Sequence, residues 1–113
     1  MTHYPFVIFV ETPLFTRRVQ DLLHDDQYAR RQHFLTEYPE SGDVIEGTGG
    51  LRKIRVAMAS RGKSGGARVI YYHFVAHARI AMLLIYAKSE KDDLTTDQRA
   101  TLRKIVNHWK HPP

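Results

Sequence analysis

The chain has no cysteine, so it can build neither a disulfide framework nor a thiolate metal site. That suits a reducing compartment. Long apolar runs are missing as well. The longest, Ile80 to Ala87, falls well short of the roughly 20 residues a membrane-spanning helix needs. Near the N-terminus, Phe6 to Val10 is ended by Glu11; it lacks a basic flank and is too short for a secretory signal. These absences point to an intracellular, cytoplasmic protein without a membrane partner. There is no low-complexity tract, internal repeat or linker, and 113 residues suit one domain over residues 1–113.

The most telling shortage is local. From Gly47 to Tyr72 there is no Asp or Glu, while six cations crowd in: Arg52, Lys53, Arg55, Arg61, Lys63 and Arg68. The whole chain carries 17 Lys and Arg against 12 Asp and Glu, a net charge of +5, with a sequence pI of about 9.7. Uncompensated positive charge repels itself, so it usually answers to an anionic partner; the phosphates of RNA or DNA are the obvious one. A merely basic, soluble surface is the plain alternative.

The apolar pattern gives the element order strand, helix, helix, three strands, helix. Phe6 to Val10 reads as a short strand. Thr12-Pro13 reads as an N-cap followed by proline at the first helical position, and Phe15, Val19, Leu22 and Leu23 give that helix one apolar face. Asp25 or Asp26 starts a second helix with Tyr28, Leu35 and Tyr38 inward, which Pro39 ends. Glu40 to Gly50 is a loop. In Leu51 to Met58 the alternation sets Ile54, Val56 and Met58 on one face, and Lys53 with Arg55 on the other. Ser60 to Gly66 is a turn. Ala67 to Val75 and Arg79 to Ala87 form a hairpin, the last strand apolar on both faces as befits the middle of a sheet. Thr95 and Gln98 match a capping box, and Leu102, Ile105, Val106 and Trp109 form the docking stripe of a final helix.

Cations on one strand are often only solubility devices or edge protection. Here the next strand opens on Arg68, and the glycine-rich turn carries Arg61 and Lys63, so five or six cations are expected to converge with no carboxylate among them. RGKSGG (Arg61 to Gly66) is not a phosphate-binding P-loop. The required first glycine would fall at Ala57, and a strand follows instead of a helix. The histidine pairs His73/His77 and His108/His111 lack the third and fourth ligands a metal centre wants, so no metal or other cofactor is expected. Tyr86 and Lys88 share a face at the exit of the last strand, where they can reach a ligand.

Gly42 to Ala57 (GDVIEGTGGLRKIRVA), Arg61 to Tyr72 (RGKSGGARVIYY) and Leu83 to Thr95 (LLIYAKSEKDDLT) closely resemble the HigB branch of the RelE-like type II toxins. The opening FVET and the helix order agree. The resemblance implies an α+β, RelE/ParE-like fold: an antiparallel sheet with an N-terminal helical hairpin and a C-terminal helix, helices on one face and a basic surface on the other. It implies a bacterial toxin that cleaves mRNA in the ribosomal A site by attack of the ribose 2′-hydroxyl on the adjacent phosphate, without a metal. The implied partner is a HigA-like antitoxin with a helix-turn-helix domain, through which the pair reaches operator DNA.

Carried over by position, Lys53, Arg55 and Arg68 match the strand cations of these toxins, and Lys88 falls near the cationic end of the last strand. Ser89 and Thr95 stand where the family has a further arginine and a tyrosine, which leaves Tyr86 as the tyrosine of choice. The expected catalytic set is therefore Lys53, Arg55, Arg68, Tyr86 and Lys88, with Arg52, Arg61 and Lys63 binding RNA. ParE relatives share the architecture but poison gyrase, so a non-catalytic gyrase poison or a plain RNA-binding module stands as the alternative. Five phosphate contacts predict a salt slope of roughly −3.5 for single-stranded RNA, at about −0.7 per contact. A titration of RNA affinity against salt checks this, and a flat response would contradict phosphate-led binding by the isolated protein.

Overall fold

A computed structural model describes residues 7–58, 66–91 and 93–110. The elements are β1 (Ile8–Glu11), α1 (Pro13–Leu22), α2 (Asp25–Glu37), β2 (Asp43–Val44), β3 (Arg52–Val56), β4 (Ala67–Phe74), a 3-10 turn (Val75–His77), β5 (Arg79–Ala87) and α3 (Thr96–Lys110). The fold is α+β, and the order matches the sequence pattern apart from β2, a two-residue strand inside the stretch read as loop. Phe6 and most of the Ser60 to Gly66 turn lie outside the described residues.

The five strands form one sheet in the order β1-β5-β4-β3-β2. Strands β2 to β5 pair antiparallel in succession, but β1 runs parallel to β5, with Ile8 opposite Arg79 and Glu11 opposite Met82. The sheet is therefore mixed, not antiparallel throughout. The chain leaves β1 through two helices, enters the sheet again at the far edge and returns strand by strand. After three reversals β5 meets β1 in the same direction.

The first helix starts where local chemistry says it must. Thr12 Oγ1 accepts the Phe15 N–H at 3.1 Å and donates to Leu83 O at 2.7 Å, so one hydroxyl both caps α1 and fastens it to β5. The second helix is preceded by His24, whose N–H is accepted by Gln27 Oε1 at 3.1 Å, so Asp25 and Asp26 sit inside its first turn instead of capping it. At α3 both halves of the Thr95/Gln98 box form, at 3.1 and 3.0 Å.

Both faces of the sheet are covered. Phe15, Val19 and Leu23 pack with Leu35 of α2 against Val69, Tyr71 and Met82 on one side. Leu102 and Val106 of α3 pack against Leu51, Ile70 and Leu83 on the other. The expectation of helices on a single face is corrected, and the cause lies in β4 and β5: interior strands apolar on both sides need a cover on each. Two inward assignments also change, for Tyr38 is 58% exposed and Ile105 is 36% exposed. Leu102, Val106 and the half-buried Trp109 carry the docking of α3.

The loop before β3 is fixed by two side chains. The Tyr71 hydroxyl accepts the Gly42 N–H at 2.9 Å and donates to Pro39 O at 2.8 Å. A Cβ at Gly42 would stand 2.8 Å from that hydroxyl, so the position has room only for glycine. Arg52 Nη1 donates to Glu40 O at 3.1 Å and Gly42 O at 2.8 Å. Replacing Tyr71 by Phe leaves a buried amide and a carbonyl without their partner. Tyr71→Phe is expected to cost about 1–3 kcal/mol, seen as a lower urea midpoint at unchanged m-value.

Candidate active site

Strand register builds the site. Arg55 of β3 lies opposite Arg68 of β4, and Arg68 lies opposite Tyr86 of β5. Directly opposed antiparallel residues sit about 4.5–5.5 Å apart at Cα, with side chains on the same face. The three therefore form one row across three strands. Lys53, two residues along β3, joins the same face and lies opposite Ile70.

This is the face that α3 covers further along the sheet, since Ile70 and Tyr86 belong to the cluster with Leu102 and Val106. The row grades from open to closed: Arg55 is exposed, Arg68 half-buried and Tyr86 only 6% exposed.

The Tyr86 hydroxyl is buried and has no hydrogen-bond partner among the described residues. Burial pushes its pKa up, with the nearby Asp93 carboxylate adding to this while Arg68 and Arg99 oppose it. The hydroxyl is thus a neutral donor at physiological pH. Lys91 Nζ stands 5.4 Å from the ring centroid and donates to Gln98 Oε1 at 2.5 Å, so the outer side of the ring is closed by a cation. The Arg68 guanidinium donates to Ala67 O at 3.3 Å.

One expectation is overturned. The cations do not gather without a carboxylate. Asp93, in the segment entering α3, accepts Lys53 Nζ at 3.4 Å and Arg99 Nη2 at 3.1 Å. Its carboxyl is held below the ordinary carboxylate value, first by the Leu94 N–H; burial opposes this, and Lys53 and then Arg99 add to the lowering. Among the described residues, Lys53 is the cation of the row that bridges this acid. Arg55 has no ion pair among the described residues, and Glu90 is engaged elsewhere, by Arg18 at 2.6 Å.

The other sequence candidates are placed as follows. Lys88 directly follows β5, its N–H bonded to Gly66 O at 2.9 Å, and alternation puts it on the face of Tyr86. Arg52 is not brought to the row: it shares its face with Ile54 and Val56, and its guanidinium serves the Glu40 and Gly42 carbonyls. Arg61 and Lys63 lie outside the described residues. His73 and His77 do not combine. His73 points toward Glu40, at 3.9 Å, with its pKa lowered chiefly by burial, whereas His77 lies in the 3-10 turn.

Sequence reasoning missed Asp93 and Arg99. The meeting of Asp93 with Lys53 spans 40 positions, and no local periodicity carries that. Gly66, beside Lys88, has a φ of +59°, and a Cβ there would approach Val56 O to 2.6 Å, so β4 can begin this close to β3 only with glycine.

A mixed sheet sheathed on both faces, with arginines and a tyrosine in register at one end, defines a small basic α+β protein. The family model described as the RelE toxin of the RelE/RelB toxin-antitoxin system matches residues 40–112, well over half of the chain. The chain belongs to the RelE toxin family: it is a toxin of a toxin-antitoxin system, and an antitoxin is its partner. Among the described residues no helix is long and apolar enough to cross a membrane.

The Asp93 bridge has a definite pH signature. A carboxyl whose folded pKa is depressed stabilises the fold above its unfolded value, about 3.8, and loses that contribution as pH falls through the folded value. Both partners are partly exposed, so screening holds the contribution to no more than about 1 kcal/mol. Asp93→Asn is therefore expected to lower stability slightly near pH 7, with the gap from wild type closing as pH falls below 3.8 in denaturant titrations. A gap that persists unchanged in acid would contradict the bridge.

Proposed function

We propose that this toxin is a ribosome-dependent mRNA endonuclease of the HigB branch, acting on translated messages in the A site. The single observation that supports it is the in-register row Arg55, Arg68, Tyr86 with Lys53 on the same face. RNA cleavage by its own 2′-hydroxyl needs three things: loss of the 2′ proton, stabilisation of the dianionic phosphorane, and a proton for the departing 5′ oxygen. The 2′ O–P bond forms as the P–O5′ bond breaks, leaving a cyclic phosphate and a 5′-hydroxyl.

Arginine suits the phosphorane, because its planar fork meets two phosphate oxygens at once. Arg68, half-buried between Arg55 and Tyr86, is the central donor, and Arg55 approaches from the open side. The raised pKa of Tyr86 fits it to donate to the leaving oxygen and unfits it as the base. Lys53 and Lys88 supply further charge beside the row, and Arg61 and Lys63 contact flanking RNA. A HigA-like helix-turn-helix antitoxin would hold the toxin inactive in the bacterial cytoplasm and carry it to operator DNA.

Removing one preorganised charge-stabilising donor typically costs about 10²–10³ in turnover. Arg68→Ala is expected to lose at least about 100-fold in cleavage of a ribosome-bound message, with its circular dichroism spectrum and thermal midpoint preserved. Mapping message 5′ ends after induction gives the second readout. Full toxicity of Arg68→Ala, or DNA damage with intact messages, would contradict the reading.

A further inference from the structure

A cavity of about 550 Å³ lies at the opposite end of β4 and β5 from the cationic row. Phe74, Trp109, Val10 and Val75 line it, together with Arg79 and Lys110. Arg68 and Phe74 are six residues apart on one strand, which at about 3.3 Å per residue sets the groove some 20 Å from the row.

Two features call for an occupant. Val75 is 74% exposed and Val10 48%. Ile8, next but one to Val10 on the same face of β1, is 53% exposed. The apolar strip thus runs from the cavity onto the sheet's last strand, and β1 pairs with β5 alone among the described residues. Exposed apolar surface that is contiguous in this way marks an interaction site. The charge around it has one sign, because Arg79 and Lys110 stand in the lining and, among the described residues, no Asp or Glu does.

The complementary ligand is a peptide with apolar anchors on one face and carboxylates on the other. RNA fits less well. Bases need open aromatic faces, and here the rings are used up on one another: Tyr72 to Phe74 at 4.8 Å, Phe74 to Trp109 at 5.0 Å and Tyr72 to Trp109 at 5.7 Å between centroids.

We propose that this groove is the docking site for an acidic amphipathic segment of the antitoxin. A segment seated there leaves the row of Arg55 and Arg68 uncovered, so this anchor and the blocking of cleavage are separable parts of the interaction. The inference rests on the chain being a toxin with an antitoxin partner, and not on the chemistry the toxin performs.

The probe is the purified antitoxin encoded with this toxin, titrated by calorimetry against full-length Val75→Asp and Arg79→Glu. Both side chains are exposed, so thermal midpoints should stay near wild type. Each variant is expected to weaken binding at least 10-fold, while Val75→Asp cuts messages like wild type and Arg68→Ala binds the antitoxin normally. Wild-type antitoxin affinity in both groove variants would overturn the proposal. So would a change confined to the sedimentation of the toxin alone, which marks a self-interface, or lost message cleavage with antitoxin affinity intact, which marks a ribosome or RNA face. A toxin that cuts no RNA yet loses antitoxin affinity through Val75→Asp would remove the nuclease reading and leave this one standing.

Discussion

The pairing register of β3, β4 and β5 is the constraint on which the rest depends. It sets Arg55 across from Arg68 and Arg68 across from Tyr86. A slip of one residue would turn a whole strand's side chains to the other face, sending Arg68 among Leu35 and Met82 and bringing Val69 to the surface. The same burial that makes the core thus aims the cations. Each buried Leu, Ile or Val contributes about 1.5–3 kcal/mol, whereas an exposed ion pair contributes about 1 kcal/mol at most. Packing therefore fixes where α3 lies, through Leu102 and Val106. Asp93 only directs Lys53 and Arg99 once the helix is there.

Electrostatics makes the two ends of this face different. At one end arginines stand in register beside a neutral, buried tyrosine hydroxyl, with the Asp93 carboxylate bridging Lys53 and Arg99. At the other, cations surround an apolar groove whose aromatic rings already satisfy one another. The first suits a compact dianionic centre and the second an acidic chain with apolar anchors. Both lie on the α3 side of a single sheet, so one partner of sufficient length could touch both.

Much of this was legible in the sequence where the cause is local. Thr12-Pro13 and Thr95/Gln98 announce their helices because a cap needs only a hydroxyl or amide three residues from an orphan N–H. Alternation in Leu51 to Met58 puts Lys53 and Arg55 on one face and Arg52 on the other; that Arg52 serves the Glu40 and Gly42 carbonyls instead of the expected RNA is visible only in the folded loop. What stayed hidden is what distance decides. The parallel direction of β1 follows from the path of the whole chain, and a two-residue β2 is too short to show a period. The placement of α3 opposite α1 and α2 follows from the two-sided apolarity of β4 and β5, a pattern that marks a mid-sheet strand but does not say which helix covers which face. Asp93 meets a lysine 40 positions away, beyond the reach of any local pattern.

The central claim is that the register makes Arg55 and Arg68 act on one phosphate. A double-mutant cycle on ribosome-bound message cleavage, with Arg55→Ala, Arg68→Ala and both together, measures this directly. Groups that share one phosphate should show a coupling of at least about 0.5 kcal/mol, the double variant losing less than the product of the single losses. Losses that multiply to within about 0.3 kcal/mol would mean the two arginines act independently, and the account of the site would fail.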